Sequence, residues 1–451
     1  MIEILYYVQN KKGRRKKEVA ISKYLQKRAW ISGKTVVGID PGKDRHQAVV
    51  IDGHGIMKGK PFSFGVNQKG FNEKLWNGIR MATEMDKPED TVFAVETSCN
   101  LWVTITDYLR RQGYTVVLVS PLSTHHARPL MNHDFTKTDP KDALLIASNA
   151  QNGNYDHYRE FSAGTKRLHQ LSLTYSKLMK DRTRMRMRIR ALMEVVFPEY
   201  LKCIDVCTET SLYLLQRYFM PEDFLRMDIK NEASLIKKLS RNNYDESLLY
   251  RIRKQARGSI GADKTDERDV LRLTLDSYIT LYRGINEQMR AIHEKMTEIA
   301  KESVYFEVIT SIKGIREGTA ARFMGECRIY DELPFSHYKQ IEKLAGLNLR
   351  LNQSGKHVGA RHISHIGNKR LLNLLYLMTT QVARHIPEVR IRFLKRQMQK
   401  RHYRKNIVAC ISQLLKLLTS LLKKKRGYEY YPERMKEMKE LEAEYMGFKV
   451  A

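Results

Sequence analysis

The sequence has little cysteine and lacks long hydrophobic runs. Only five of its 451 residues are cysteine, and their positions do not form a disulfide framework. Cys203 and Cys207 are close in sequence, but no second Cys or His pair follows at zinc-ligand spacing. No apolar run is long enough to cross a bilayer, and the N-terminus lacks the apolar core of a signal peptide. We therefore expect a cytoplasmic protein with no membrane partner.

Acidic residues are scarce relative to basic ones. The chain has 80 Lys and Arg against 50 Asp and Glu, so its formal net charge is +30. Hydrophobic residues make up 42%, which favours a globular protein of two or three domains over a disordered chain. A charge excess of this size indicates a polyanion partner, because each phosphate that is neutralised releases counterions. An anionic membrane is the weaker alternative, since no amphipathic basic anchor is evident.

Four acids stand at ordered positions in this basic chain. Asp40 and Glu96 each end an apolar, strand-like run, and Asp139 and Asp142 open a helix-like segment. Side chains three residues apart on a helix share a face, and Mg²⁺ prefers carboxylate oxygens together with substrate phosphates. The pattern predicts a divalent-metal site for phosphoryl transfer. For Asp139 alone, a simple helix N-cap followed by Pro140 at the first helical position is the alternative interpretation.

Hydrophobic periodicity predicts an α/β fold followed by a mostly α fold. Strand-like runs at 35–40, 46–52, 56–65, 91–96 and 115–119, with helices after the third, favour an RNase H-like sheet. The predicted divisions are a basic extension (1–34), an α/β domain (35–160), long helices (161–302) with a helical insertion (198–262), a helical domain (303–421) and a charged tail (422–451).

Two long helical stretches are predicted, near 163–197 and 265–301. Apolar residues recur in both at three–four spacing, as in a coiled coil. They could pair within one chain or between chains, or pack as a hairpin on their own domain.

The acidic motifs resemble those of a known family. Segments 38–43 (Gly-Ile-Asp-Pro-Gly-Lys), 95–97 (Val-Glu-Thr) and 137–143 (Lys-Thr-Asp-Pro-Lys-Asp-Ala) are similar to the DEDD transposases of the insertion-sequence-110 family, which are bridge-RNA-guided recombinases. The resemblance continues in segments 312–320, 343–355 and 361–371. Lys313 and Arg316 depart from the family's usual Pro-Gly-Ile-Gly, and Leu349 stands where the family has proline.

This resemblance implies a RuvC-like (RNase H-like) N-terminal domain and a helical C-terminal transposase domain. It implies that Asp40, Glu96, Asp139 and Asp142 bind Mg²⁺, and that Ser354 is a nucleophile forming a covalent phosphoserine link to DNA. The implied partners are donor and target DNA, a guide noncoding RNA and further copies of the chain, as a dimer or tetramer. Without the resemblance, Ser354 is a loop serine beside a turn glycine. Ser364 is its rival, and we expect Ser364 to cap or orient the following helix.

Basic clusters complete the list of candidate residues. Phosphate contacts are predicted for Arg184 and Arg188 on the first long helix, and for Lys395, Arg396, Lys400, Arg401 and Arg404 in the C-terminal domain. The alternative is that these residues form solvated helix faces.

The resemblance, together with the charge and the acids, implies an RNA-guided DNA transposase or recombinase of a prokaryotic, nucleoid-associated kind. Two other functions stay open at this point: a RuvC-like nuclease that cuts junctions with water, and a non-catalytic nucleic-acid-binding protein.

Overall fold

The fold is taken from a computed structural model, which describes residues 15–83, 88–130, 138–262, 264–350, 353–354, 357–358, 362–364 and 366–450. The chain forms two compact units, Met1–Glu160 and Phe161–Ala451.

A mixed sheet forms the centre of the first unit. Its strands are β1 (Thr35–Asp40), β2 (Arg45–Ile51), β3 (Met57–Gly65), β4 (Thr91–Glu96), β5 (Thr115–Val119) and β6 (Asp156–His157). The order across the sheet is β3-β2-β1-β4-β5-β6. β1, β2 and β3 are antiparallel, β4 and β5 run parallel to β1, and β6 is antiparallel to β5. The five strands expected from the sequence are therefore present, and the two-residue β6 is additional.

Helices cover both faces of the sheet. They are α1 (Arg15–Ile31), α2 (Leu75–Ala82), α3 (Trp102–Arg111), α4 (Pro121–Ala127) and α5 (Asp139–Gln151). Because side chains alternate along a strand, Val36 of β1 joins the core formed with α5, whereas Val37 joins the core formed with α2 and α3. α1 lies within the predicted basic extension, where Tyr155 Oη donates to Lys27 O at 2.9 Å. Residues 1–14 lie outside the described residues.

The second unit begins with two long helices joined by short ones. They are α6 (Ala163–Val196), α7 (Tyr200–Cys203), α8 (Glu209–Arg217), α9 (Pro221–Leu225), α10 (Ile229–Leu239), α11 (Glu246–Arg257) and α12 (Arg268–Lys301). The Arg188 guanidinium lies over the Tyr278 ring at 5.7 Å, and the Tyr175 and His293 rings are 6.3 Å apart. The later residue of α6 contacts the earlier residue of α12, and the earlier residue of α6 contacts the later one. α6 and α12 therefore pack antiparallel within one chain. The short helices share a core with Ile189 of α6, at that end of the pair.

The remaining helices of the second unit form one further core. They are α13 (Val304–Thr310), α14 (Glu317–Cys327), α15 (Tyr338–Leu344), α16 (Lys369–Val382), α17 (Pro387–Met398), α18 (Tyr403–Lys424) and α19 (Pro432–Val450). Between α15 and α16 lie four short strands, β7 (Leu349–Arg350), β8 (Gln353–Ser354), β9 (His357–Val358) and β10 (His362–Ile363).

By length and composition alone, α18 could cross a membrane. The expectation that no apolar run has this length is therefore wrong. Half of the most apolar 18-residue segment of α18 is buried, however. Ile407, Leu414 and Leu418 on its apolar face belong to the core of the second unit. Such burial is typical of a core helix in a globular unit.

Candidate active site

One cavity of the first unit, with a volume of about 410 Å³, has all four predicted acids in its wall. Asp40 ends β1 and is half-buried, whereas Glu96 ends β4 and is only 8% exposed. β1 and β4 are parallel neighbours, so their last residues reach the same edge of the sheet. Asp139 and Asp142 come from the first turn of α5, the former exposed and the latter 3% exposed. The structure thus brings together the acids that the sequence pattern grouped.

A glycine sets how closely α5 approaches β1. Gly38 lies two residues before Asp40, and a Cβ placed on it would lie 2.3 Å from Ala143 O and 2.7 Å from Ala147 N. The strand and helix backbones therefore meet at this point with no room for a side chain between them. This contact places the helical acid pair next to the end of β1.

The N-cap of α5 is Thr138, which has an extended backbone (φ −137°, ψ 144°). Asp139 and Pro140 are the first two helical residues, and the Asp142 backbone N–H donates to Thr138 O at 2.9 Å. The interpretation of Asp139 as the N-cap is therefore wrong. Its carboxylate lies in the first helical turn, where the helix dipole favours negative charge.

Two polar side chains that the sequence did not single out contact the acids. Arg128 follows α4 and forms a two-pronged pair with Asp142, Nε to Oδ1 at 2.9 Å and Nη2 to Oδ2 at 2.9 Å. Ser98 Oγ donates to Glu96 Oε1 at 2.5 Å. The hydrogen bond to Asp142 raises the pKa of Arg128, and the charges of Asp142, Glu96 and Asp40 add to that effect against partial desolvation. Nothing in the sequence around Arg128 marks this pairing, because the contact is tertiary.

The donor chemistry of the cavity fits a hard divalent cation, since four carboxylates line it. Among the residues that the structure describes, no three or more His, Cys, Asp or Glu side chains are grouped closely enough to hold a metal ion. Asp142 is instead paired with Arg128. The ligand set is therefore present around one cavity but is not assembled in this conformation.

Ser354 lies in β8, in the second unit. It pairs with His357 of β9, so that only residues 355 and 356 separate the two strands. β7 and β10 pair antiparallel on either side of β8 and β9 in sequence. Gly355 lies outside the described residues, and the catalytic role of Ser354 stays a prediction.

The rival serine, Ser364, is buried and directly follows β10. Its hydroxyl is 2.6 Å from Asn348 Oδ1 and accepts a hydrogen bond from Ile366 N at 3.3 Å. Its backbone N–H also donates to Asn348 O at 2.9 Å. Ser364 does not cap α16, because the N-cap of that helix is Asn368. The contacts of Ser364 fit the alternative that it orients the chain entering α16.

A buried acid that the sequence did not single out contacts the N-terminal end of α16. Glu326 accepts hydrogen bonds from Asn368 Nδ2 at 2.6 Å, Arg370 Nε at 3.1 Å and Ser172 Oγ at 2.9 Å. Asn368 also caps α16, accepting from the backbone N–H groups of Arg370 and Leu371. Asn368 and Arg370 therefore have structural contacts that tie α6, α14 and α16 together.

Comparison with known proteins identifies the family. Residues 37–198, which contain all four acids, match the model of DEDD transposases of the IS110 type, and residues 306–394, which contain Ser354, match that of the transposase IS116/IS110/IS902 family. The chain belongs to the IS110 family of transposases. This transposase is also 24% identical over 409 residues to the insertion element IS116 uncharacterized 44.8 kDa protein of Streptomyces clavuligerus, covering 88% of this chain and 96% of the relative.

Transposases act on DNA, and the basic excess of this transposase agrees with such a partner. On α6, Arg184 and Arg188 are both exposed. Arg184 forms an ion pair with Asp181 at 2.8 Å on its own helix, and Arg188 lies over the Tyr278 ring. Both guanidinium groups keep a solvent-exposed position despite these partners.

Two of the five residues in the second basic cluster of the transposase contact other side chains of the protein. Lys395 Nζ pairs with Glu437 of α19 at 3.0 Å, and Arg396 Nε donates to Asn406 Oδ1 at 3.2 Å. Arg396 is half-buried, and the other four members are exposed: Lys395, Lys400, Arg401 and Arg404. Phosphate contact by any of the five stays a prediction.

Proposed function

We propose that this transposase is an RNA-guided recombinase that cuts and rejoins DNA, with a RuvC-like (RNase H-like) N-terminal domain that holds Mg²⁺. The observation that carries this proposal is the single cavity whose wall contains Asp40, Glu96, Asp139 and Asp142. The sheet order supports the fold assignment, since three antiparallel strands are followed by two strands parallel to β1.

The four acids would hold Mg²⁺, which when bound supplies positive charge to the scissile phosphate and the attacking oxygen. Asp40 and Glu96 are held rigidly at strand ends, and the Asp139–Asp142 pair is held by the packing of α5 on Gly38. The protein's part is thus to fix the positions of the carboxylates.

Ser354 is the proposed nucleophile, as the family resemblance implies. Its oxygen attacks the scissile phosphorus, so that a serine–phosphate ester bond forms while the bond from phosphorus to one deoxyribose oxygen breaks. The serine proton ends on the released DNA hydroxyl. Because the ester keeps the phosphodiester's bond energy, the reverse attack by another DNA hydroxyl rejoins strands and frees the serine.

The acids and the serine belong to different compact units. As the family resemblance implies, we propose a multimer, a dimer or tetramer, in which the acidic domain of one subunit completes a site with the serine domain of another. A guide RNA would pair with donor and target DNA, so that base pairing reads sequence while the protein contacts backbones. The net charge of +30 supports extensive phosphate contact in a cytoplasmic, nucleoid-associated protein.

A covalent-adduct assay tests this proposal. The full-length protein is incubated with guide RNA, DNA and Mg²⁺, then denatured, and DNA-linked protein is separated from free protein by electrophoresis. We expect an adduct with the native sequence and with Ser364→Ala, and none with Ser354→Ala or Asp40→Asn.

Each other result has a defined meaning. An adduct that persists in Ser354→Ala would remove the serine from its role. Cleavage without any adduct would favour a nuclease that uses water. Binding of DNA with neither cleavage nor adduct would favour a non-catalytic protein. Thermal unfolding of each variant separates loss of chemistry from loss of folding.

A further inference from the structure

Arg128 occupies both oxygens of one of the four acids. Its Nε and Nη2 each lie 2.9 Å from a different oxygen of Asp142, the geometry of a two-pronged charge-assisted pair. Both side chains are largely removed from water, with 17% of Arg128 and 5% of Asp142 exposed. Water therefore screens this pair less than it screens a surface ion pair.

The guanidinium also carries a permanent charge inside the acidic cavity. Arg128 lines the same wall as Asp40 and Glu96, and its charge interacts with both carboxylates. Arginine does not lose its proton in proteins, so it cannot become neutral to admit a cation. A divalent ion bound by Asp142 would be close to this charge, and the two cations would repel each other.

We propose that Arg128 is the counter-ion of Asp142 in the metal-free protein and competes with the divalent cation for that carboxylate. Metal binding then requires Arg128 to release Asp142, and Arg128 sets the metal concentration at which the four acids assemble. This inference rests on the proposed function of the cavity as a metal site.

The same cavity offers a matched control residue. Arg45 also lines the wall, but its Nη2 donates to Ser63 Oγ at 2.8 Å. Neutralising Arg45 removes the same charge from the cavity without freeing Asp142. A difference between Arg128→Gln and Arg45→Gln therefore reports the specific pairing and not the general loss of positive charge.

The experiment measures Mn²⁺ binding to the full-length protein without nucleic acid, with free Mn²⁺ followed by electron paramagnetic resonance. We expect Arg128→Gln to bind Mn²⁺ roughly tenfold more tightly than the native sequence, because a repulsive charge and a competing hydrogen-bond donor are both removed. We expect Arg45→Gln to differ from the native sequence by less than about threefold. In an Asp142→Asn background the gain from Arg128→Gln should fall to less than about threefold, the effect expected of the charge alone, because the contact with Asp142 is already lost.

Thermal unfolding gives a second readout. Without metal, Arg128→Gln should unfold at a lower temperature than the native protein, because it leaves a buried carboxylate without its cation. Added Mn²⁺ should raise its unfolding temperature by more than it raises that of the native protein. Arg128→Lys keeps the charge but not the two-pronged geometry, so it should bind Mn²⁺ with intermediate affinity even if Arg128→Gln does not fold.

The failures are distinguishable. If the native protein binds Mn²⁺ and Asp142→Asn weakens that binding, but neither Arg128 variant binds more tightly, the competition is refuted while the metal site stands. A tenfold gain that persists in full in the Asp142→Asn background, or that Arg45→Gln reproduces, also overturns it. If neither the native protein nor any variant binds Mn²⁺, the metal site and this inference are both refuted.

Discussion

Replacing Gly38 by alanine tests the packing that places the acidic pair. The added Cβ would lie 2.3 Å from Ala143 O, 2.7 Å from Ala147 N and 2.8 Å from Ala147 Cβ. The two closest atoms are backbone atoms of α5, so no side-chain rotation on that helix relieves the contact. To bring the shortest distance to even 3.0 Å, the helix and strand must separate by at least 0.7 Å.

Overpacking of this kind costs about 1–3 kcal/mol of folding free energy. The separation also moves the Asp139–Asp142 pair away from Asp40, and a displacement of about 1 Å at a reacting site can lower the rate about 100-fold. We therefore expect Gly38→Ala to reduce both the free energy of unfolding, measured by urea titration, and the rate of adduct formation.

The control is Gly284→Ala, in the middle of α12. A Cβ there meets nothing within 4 Å, so the substitution should stabilise the helix by about 0.5–1 kcal/mol. If Gly38→Ala unfolds at the same urea concentration as the native protein and forms adduct at the native rate, then the close approach of α5 to β1 does not position the acids.

Three further substitutions test other parts of the fold by urea unfolding. Desolvation raises the pKa of Glu326, but hydrogen bonds from Asn368, Arg370 and Ser172 lower it by more, so its pKa is lowered overall. The native protein should therefore lose stability as the pH falls below about 4.5, and Glu326→Gln should reduce that loss. Burial lowers the pKa of His46, on β2, from 6.5 to about 4. The free energy of unfolding of the native protein should therefore fall as the pH drops from 6.5 to about 4, because the unfolded state binds a proton that the folded state does not. His46→Leu should remove this dependence. Leu414→Ala, in the buried face of α18, should cost about 2–5 kcal/mol at any pH, and a smaller loss would contradict its central position.

Local patterns predicted much of the secondary structure correctly. β1 and β4 read as apolar runs because both of their faces are covered, and each ends at the acid that the pattern marked. The three–four spacing of the long helices predicted α6 and α12 within a few residues. By contrast, β6 was missed because two residues carry no periodicity, and Asp139 was confused with an N-cap because Thr138 and Asp139 are both suitable capping residues.

The choice between pairing within one chain and between chains depended on tertiary contacts. The apolar stripe of a helix indicates that the helix packs against a partner, but it does not identify the partner. The sequence alone therefore could not match α6 to α12. Glu326 was overlooked for a related reason. It is one acid among many in the sequence, and its partner Ser172 is 154 residues away.

The sequence by itself determined the acids at the strand ends, the helical acid pair and the basic excess, because periodicity and charge are local or additive properties. Only the tertiary structure decided that the four acids line one cavity, that Gly38 sets the approach of α5, and that Arg128 holds Asp142. These features depend on which backbones come close in space, and the packing of the whole sheet and its helices controls that distance.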